Sequence, residues 1–462
     1  MKDDNRIISR RNFLRIAGIG TAGVLIDPAK GHISGYGHFD HESYSFLKDR
    51  VRFAVISDPH LYDPDLGMVS STFHETMIND IKLHKYSDDL IKSALSGVVD
   101  SRVDFLIIPG DLTKDGELAS HIKLASYLKS LKDNGIPSFV VPGNHDINNP
   151  NSVAYSDQHP VPAETVTPEK FIEIYHEFGY SQAFDTDPDS LSYVAEPVPG
   201  IWLLAIDSCR YMENDEKPVT GGALSQQTLA WIQSVMQQAK QKGNSVVGFM
   251  HHAVLENFNY HASLMPEFII ENHSDISHFL ARSGIEIIFT GHTHVQNARS
   301  RYWDDGSFLL DVQTGSITTY PHPYRIVSIS KGLTRVESRH VTIPGDFGGS
   351  CFRKFSRSFS EYSAKRYANK FFLFGNLADL FVNAYLAHVS GDERPCQKTL
   401  DTIDEFKSSP IFLYREAGKY LSSVWTDFPP ADNNFAIIIP GHFRHLSRNI
   451  LDILNSALRG AL

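Results

Sequence analysis

The segment "FVVPGNHDINN", residues Phe139 to Asn149, decides how this sequence is interpreted. It begins as a short apolar run, is interrupted by Pro-Gly, and continues with Asn144, His145 and Asp146. These three side chains can bind a metal, transfer a proton or form a turn, and an Asn or Asp after glycine most often forms a turn or caps a helix. The segment is therefore ambiguous until the rest of the chain is considered.

Other apolar runs end in the same way. The runs "VRFAVIS", "VDFLIIPG", "SVVGFMH" and "IEIIFTG" are rich in Val, Ile and Phe, as is typical of strands buried on both faces. The polar residues at the ends of such runs are Asp58, His60, Asp111, Asn144, His251, His252, His292 and His294. In open α/β sheets the carboxyl ends of the strands form the ligand site. We therefore expect these side chains to converge.

The alternation of apolar runs with amphipathic stretches predicts an α/β fold, with one sheet or two stacked sheets flanked by helices, and an appended α-helical C-terminal domain. The predicted segments are a signal segment (1–30), a linker (31–48), an α/β domain (49–345) and the helical domain (351–462).

The N-terminal stretch "SRRNFLRIAGIGTAGVLID" pairs two arginines with a short apolar run, which is typical of a twin-arginine export signal. The run Ile16–Ile26 is shorter than the roughly 20 residues that cross a bilayer. We expect an exported protein that is periplasmic, secreted, or anchored to the membrane by an uncleaved N-terminus. The alternative is a short N-terminal helix, and the cleavage site stays open.

Composition limits the classes of partner. The formal net charge of −11 argues against general nucleic-acid binding, and the oligomeric state stays open. The 22 histidines favour metal or acid–base chemistry. Cys209, Cys351 and Cys396 lack zinc-cluster spacing; Cys351 and Cys396 could pair, or all three could be isolated thiols.

Asp, Asn and His without Cys form a ligand inventory suited to hard or borderline divalent ions. There are more candidate ligands than one ion needs, which indicates two ions, with Mn, Fe and Zn as the candidates.

The ordered blocks Asp-x-His, Gly-Asp, Gly-Asn-His-Asp, His and Gly-His-x-His resemble the calcineurin-like metallophosphoesterase superfamily over Val51–Val341. The stretches "SDPHLYDPDLG", "GDLTKDGELASH", "VVPGNHDINNP" and "GGALSQQTLAWI", with the helical C-terminus, resemble a bacterial secreted branch described as cyclic-nucleotide phosphodiesterase-like.

This resemblance implies a two-sheet β-sandwich flanked by helices, makes residues 49–345 the catalytic domain, and implies the roles of the site residues. One ion would be held by Asp58, His60 and His294, the other by Asn144, His251 and His292, and Asp111 would bridge them. A hydroxide shared by the ions would attack phosphorus, with His145 as general acid over the phosphate. Asp146 is expected to fix the loop as a hydrogen-bond acceptor, and Asp115, His252 and Tyr320 are candidates for supporting or substrate contacts.

Two departures from the family pattern leave details open. Some branches carry an Asp three residues after the bridging Asp, where this chain has Lys114 followed by Asp115. The proline common after the two histidines is absent, so the order of His251 and His252 is also open. The predicted function is hydrolysis of a small-molecule phosphodiester, with a cyclic nucleotide as one candidate. The alternatives are a phosphomonoesterase or nucleotidase on the same site, and a non-catalytic binding scaffold.

Overall fold

The structure is a computed structural model that describes residues 24–27, 32–35, 50–78, 80–330, 332–371, 375–391, 393–443 and 455. Most of the predicted signal segment and linker lies outside these residues. The described part of that region is an antiparallel pair of strands, β1 (Val24–Asp27) and β2 (His32–Gly35).

One sheet has six strands, of which three neighbours, β3 (Val51–Val55), β4 (Phe105–Pro109) and β5 (Ser138–Val141), are parallel and the others antiparallel. In spatial order the strands are β17 (Asn434–Ile438), β16 (Leu333–His340), β15 (Pro323–Ser330), β3 (Val51–Val55), β4 (Phe105–Pro109) and β5 (Ser138–Val141).

The other sheet has seven strands, of which the four central ones are parallel and the edge strands antiparallel. In spatial order they are β13 (Asn297–Tyr302), β14 (Phe308–Gln313), β12 (Ile287–Thr290), β11 (Ser245–Met250), β10 (Ile201–Ile206), β9 (Tyr193–Val198) and β8 (Ala183–Thr186). A small separate pair joins β6 (Val153–Ala154) and β7 (Val161–Pro162).

The two sheets pack face to face over an apolar core. Phe53, Phe105 and Phe139 of one sheet meet Phe249 and Phe289 of the other, and all five side chains are fully buried. Phe53 stacks on Phe105 with ring centroids 4.9 Å apart and meets Phe289 edge-on at 5.3 Å. Strand side chains alternate between the two faces of a sheet. The outer faces carry apolar side chains as well, such as Leu106 and Val140 of one sheet and Leu204 and Ile288 of the other, and these faces need cover.

Helices supply this cover. The helices are α1 (Ser71–Met77), α2 (Ser87–Asp100), α3 (Leu118–Asp133), α4 (Pro168–Ile174), α5 (Gln226–Lys242), α6 (His261–Leu264), α7 (His273–Ser283), α8 (Phe352–Phe371), α9 (Gly375–Ser390), α10 (Gln397–Lys407) and α11 (Phe412–Val424). Helices α2, α3 and α4 bury their apolar faces on the six-stranded sheet, and α5 and α7 bury theirs on the seven-stranded sheet. The predicted two-sheet sandwich flanked by helices is confirmed.

The C-terminal region is helical, as predicted, and it also contributes a strand. After α8 to α11 the chain returns as β17, which pairs antiparallel with β16 at the edge of the six-stranded sheet. The rest of the predicted helical domain, beyond 443 and apart from 455, lies outside the described residues. Cys209, Cys351 and Cys396 are free thiols, so the suggested disulfide between Cys351 and Cys396 is not formed in this structure. No described helix has the length and apolar character to cross a membrane.

Candidate metal centre

The predicted ligands lie at the carboxyl ends of strands from both sheets. Asp58 and His60 follow β3, Asp111 follows β4 and Asn144 follows β5. In the facing sheet, His251 directly follows β11, and His292 and His294 follow β12. These side chains therefore converge on one edge of the sandwich.

Several of these residues occupy strained backbone conformations. Asp58, His60, Asp111, His292 and His294 have positive φ values of 49°, 40°, 49°, 68° and 58°. A left-handed φ is uncommon for residues other than glycine, costs of order 1–3 kcal/mol, and concentrates at functional sites. Five of the seven predicted ligands thus have the left-handed backbone conformation that residues other than glycine rarely adopt.

One cluster of ligand atoms is formed by Asp58, His60, Asp111 and His294, whose donor atoms all lie within 4.8 Å of one another. Nε2 of His60 is 3.0 Å from Nε2 of His294 and 3.4 Å from Oδ2 of Asp111. Nε2 of His294 is 3.4 Å from Oδ1 of Asp58. Burial, followed by the positive charge of Lys82, lowers the pKa of His60 well below its ordinary value, so this imidazole is neutral.

The second cluster is formed by Asp111, His251 and His292, and Asn144 joins it. Nε2 of His251 is 3.0 Å from Oδ1 of Asn144, 3.1 Å from Nδ1 of His292 and 3.4 Å from Oδ1 of Asp111.

The hydrogen bonds behind this second cluster determine which ring nitrogens carry lone pairs. Nδ1 of His251 lies 2.9 Å from the carbonyl oxygen of Pro109, and Nε2 of His292 lies 3.0 Å from that of Glu267. A carbonyl oxygen only accepts, so these two nitrogens carry the hydrogens, and the opposite nitrogens of neutral rings present lone pairs. Burial, and then the neighbouring His252 and His251, hold the pKa of His292 well below its ordinary value.

Two imidazole lone pairs and an amide oxygen thus face one another at 3.0–3.1 Å beside a buried carboxylate. Such atoms repel unless a cation lies between them, and metal-binding histidines characteristically donate their other N–H to a backbone carbonyl. The residues present therefore fit a divalent ion.

Asp111 is shared by the two clusters. Its Oδ2 faces His60 and its Oδ1 faces His251, each at 3.4 Å, and the side chain is almost fully buried. Burial raises the pKa of this carboxyl, but His251, His145 and the backbone N–H of His145 outweigh that effect and lower it. An ionised carboxylate aimed at both clusters is the arrangement expected of a bridging ligand.

His145 lies at the edge of the clusters with its side chain 22% exposed. Its Nδ1 is 2.9 Å from Oδ1 of Asp115, and its Nε2 points toward the clusters, 3.9 Å from Oδ2 of Asp111. Burial and Lys82 oppose protonation of His145, yet Asp111 and Asp115 raise its pKa above the ordinary value. Asp115 is itself paired with Lys114, which occupies the position where some branches carry an Asp.

The remaining predicted residues fall in three places. Asp146 accepts hydrogen bonds from the backbone N–H groups of Leu112, Thr113 and Gly143, which confirms its predicted loop-fixing role. His252 packs against the rings of two predicted ligands, while its own nitrogens bind Ser208 Oγ and the carbonyl oxygen of Thr220. Tyr320 is buried in an apolar cluster with residues of α8 and α9, and Val295, the residue after His294, packs against this cluster.

Two features of the site were not predicted from the sequence. The carbonyl oxygen of Glu267 fixes the ring of His292, and a backbone atom leaves no side-chain signal in a sequence. Lys82 acts electrostatically on His60, Asp111 and His145. In the sequence, Lys82 is a single lysine two residues before His84, and such a pattern is too common to indicate a functional residue.

This geometry defines a class: a sandwich-type α/β protein with two adjoining clusters of candidate metal ligands at its strand ends. The model of the calcineurin-like phosphoesterase family matches residues 51–296, which is more than half of the chain and includes every predicted ligand. The protein belongs to the calcineurin-like phosphoesterase family, and it is a hydrolase acting on phosphoester bonds.

Solved structures with similar folds include a dimetal phosphatase from Danio rerio, with 15% identity, 63% of this chain and 96% of that chain covered, and a TM-score of 0.44. A purple acid phosphatase from yellow lupin seeds has 12% sequence identity and a TM-score of 0.39. The match covers 64% of this chain and 52% of that chain. With TM-scores below 0.5, these structures bear on neither substrate nor mechanism. No curated protein matches the chain.

Proposed function

We propose that this phosphoesterase hydrolyses phosphodiesters, that Asp58, His60 and His294 hold one divalent ion and Asn144, His251 and His292 a second, and that Asp111 bridges them. The observation that supports the paired ions best is the convergence of candidate ligand atoms on both sides of the shared Asp111. The preference for diesters rests on the resemblance of four sequence blocks to a phosphodiesterase-like branch.

When bound, two divalent ions supply positive charge for phosphoryl oxygens and lower the pKa of water toward neutrality. The chain's own residues then have separate tasks. Asp111 directs one oxygen to each cluster, so it would hold both ions and its negative charge would offset their repulsion. The hydrogen bonds to Pro109 and Glu267 orient His251 and His292, so little rearrangement is needed on binding.

His145 is the proposed general acid. A protonated Nε2 would donate to the leaving oxygen, while Nδ1–H donates to Asp115 and keeps the ring oriented. Asp115 acts through His145 and is a positioning residue. The partial exposure of the His145 side chain allows a substrate to reach it.

The test is a panel assay of the full chain loaded with Mn, Zn or Fe. Bis(4-nitrophenyl) phosphate and cyclic nucleotides represent diesters, and 4-nitrophenyl phosphate represents monoesters. We expect diester hydrolysis to exceed monoester hydrolysis, and His145→Ala to lower kcat by about 10²–10⁴-fold, the typical contribution of a general acid. His176→Ala is the matched control because that histidine is exposed and lies outside the site.

A preference for monoesters by orders of magnitude would replace the diesterase proposal with a phosphomonoesterase or nucleotidase. One metal per chain by elemental analysis would contradict the paired site.

We also propose that the protein is exported through the twin-arginine route. The support is the sequence "SRRNFL", which contains Arg10 and Arg11 ahead of a short apolar run. Replacing both arginines with lysine should leave the protein in the cytoplasmic fraction, while the wild type is recovered outside it. Equal recovery of both forms outside the cytoplasm would refute this route.

A further inference from the structure

The segment from Phe258 to Phe268 lies directly against the metal centre. The carbonyl oxygen of Glu267 is 3.0 Å from Nε2 of His292, and the ring of Phe268 stacks on the ring of His292 with centroids 5.2 Å apart. Because His292 is a predicted metal ligand, any group that is bound at the ions and extends past this ring meets the segment.

The backbone of this segment is held in place by buried contacts. Phe258 and His261 are buried with their rings 5.1 Å apart, and Nδ1 of His261 accepts the N–H of Asn257 at 3.3 Å. The N–H of Met265 donates to the carbonyl oxygen of His261 at 2.8 Å, and the N–H of Phe268 donates to that of Met265 at 3.0 Å. The fold therefore sets where the side chains between these contacts lie.

The same segment exposes large apolar side chains to solvent. Tyr260, Leu264 and Met265 are all exposed. Met265 lies two residues before Glu267, so the Cα atoms of these two residues are at most about 8 Å apart. Residues 259–266 include no Asp, Glu, Lys or Arg. An uncharged apolar surface thus begins next to the residue that orients His292, and grouped exposed apolar side chains of this kind mark binding surfaces.

Helix α11 extends this apolar surface. The ring of Tyr420 meets the ring of Tyr260 edge-on, with centroids 5.5 Å apart. Leu413 lies seven residues before Tyr420, which is about two helical turns, so both side chains lie on one face of α11. Both are exposed. Tyr260, Leu264, Met265, Leu413 and Tyr420 are together called the apolar rim.

We propose that the apolar rim binds a hydrocarbon chain of the substrate, which is therefore an amphiphilic phosphodiester with its phosphate at the paired ions. This inference rests on the proposed diesterase function and names the organic part of its substrate. A phosphodiester carries an organic group on each side of phosphorus, and a chain that extends past His292 reaches the rim. Contact between the chain and the rim removes both from water, which favours binding.

The test uses two diesters with the same leaving group, methyl 4-nitrophenyl phosphate and dodecyl 4-nitrophenyl phosphate, at concentrations too low for micelles. Methylphosphonate and dodecylphosphonate are the binding probes because their P–C bond is not hydrolysed, and their Kd values are measured by calorimetry. The metal-loaded full chain is compared with the double variant Leu264→Ser/Met265→Ser and with Leu413→Ser.

Val99→Ser is the matched control. Val99 is 38% exposed and Met265 is 39% exposed, so the two substitutions remove similar apolar surface. Val99 lies at the end of α2, just ahead of β4, and therefore at the edge of the sheet opposite to the strand ends that carry the ligands. Elemental analysis and thermal unfolding establish that every variant keeps its metal and its fold.

We expect kcat/KM of the wild type to be about tenfold or more higher for the dodecyl diester than for the methyl diester, the contribution of roughly two buried methylene groups. Dodecylphosphonate should bind more tightly than methylphosphonate by a similar factor. The double variant should lose most of both preferences and Leu413→Ser a part of them, through a higher KM and a weaker Kd for the dodecyl compounds. Val99→Ser should keep both preferences.

A wild type with no preference for the longer chain would overturn the proposal, as would rim variants that keep the full preference. Dimers that the double variant abolishes, without any effect of chain length, would also overturn it, because a second copy of the chain would then cover the rim. The two proposals fail separately. Diester hydrolysis that depends on neither the chain nor the rim refutes only the apolar rim. Rim-dependent binding of dodecylphosphonate by a wild type that hydrolyses no diester refutes only the diesterase.

Discussion

Asp111→Asn tests the bridging carboxylate, and the structure indicates which ion the variant loses. Oδ1 of Asp111 accepts the backbone N–H of His145 at 3.0 Å, so the amide oxygen of the new asparagine should take that position. Its NH₂ group then replaces Oδ2, the oxygen that faces His60 at 3.4 Å. An NH₂ group donates and cannot bind a cation. The cluster of Asp58, His60 and His294 therefore loses a ligand.

The preference for this orientation of the asparagine amide can be estimated from the buried hydrogen bond to the N–H of His145. The reversed amide would leave the N–H of His145 facing an NH₂ group, and an unsatisfied buried donor costs about 1–3 kcal/mol. That cost favours the expected orientation by roughly 5- to 150-fold at 1.4 kcal/mol per factor of ten. Even supporting residues behind a ligand change metal affinity by about 10–100-fold. Loss of a direct charged ligand should cost at least as much.

Elemental analysis should therefore give two ions per chain for the wild type and one for Asp111→Asn. Adding His294→Ala should not lower the count further, because the affected cluster is already empty. Adding His292→Ala should remove the remaining ion. The assignment would be refuted if Asp111→Asn retained both ions at wild-type affinity, or if His294→Ala and His292→Ala had the opposite effects in this background.

Two further predictions concern packing and pH. In Gly143→Ala, the new Cβ would lie 2.7 Å from the Cα of Asp111, so we expect loss of bound metal and of activity. Gly221→Ala is the control, because its Cβ would make only ordinary van der Waals contacts, and it should match the wild type. An active, metal-loaded Gly143→Ala would contradict this prediction. Burial lowers the pKa of His121 to about 3, well below its ordinary value. The unfolded chain therefore takes up a proton at higher pH than the folded chain does, and stability is complete above about pH 6.5 and falls as the pH drops toward 3. Between pH 7 and pH 5 this histidine should cost about 2 kcal/mol of unfolding free energy. In urea titrations, His121→Gln should show a loss smaller by that amount, since an amide can still bond the Asp146 carbonyl and the Tyr175 hydroxyl; an identical pH dependence would exclude His121 as a source of acid sensitivity.

Much of the site could be predicted because its signals are local. A buried strand that ends in Gly-Asp or Gly-Asn-His places those side chains at its carboxyl end, and parallel strands present these ends at one edge. The order of Asp58, Asp111 and Asn144 along β3, β4 and β5 was enough to expect their convergence. Only part of the role of Asp146 is local, since its carboxylate accepts the N–H of Gly143 in its own turn, whereas the N–H groups of Leu112 and Thr113 come from the loop after β4.

Other features depend on contacts between residues far apart in the chain. The strand β17 pairs with β16 about a hundred residues after it, and an edge partner of that kind leaves no mark in its own short sequence. Tyr320 follows a motif-rich segment, yet it packs under α8 and α9 because its ring is buried there with apolar side chains. The partner of His145 could be settled only by geometry: Asp115, rather than a residue at position 114, reaches Nδ1.

The sequence by itself therefore determined the α/β class, the strand ends and the types of ligand, because periodicity and turn chemistry act over a few residues. The tertiary structure alone decided that Asp111 is aimed at both clusters, that lone pairs of His251 and His292 oppose each other, and that Asp115 orients the ring of His145. Distances and tautomers between residues tens to hundreds of positions apart arise only when the two sheets pack. "FVVPGNHDINN" is thus an ordinary turn in sequence, and its packing makes it one wall of the centre.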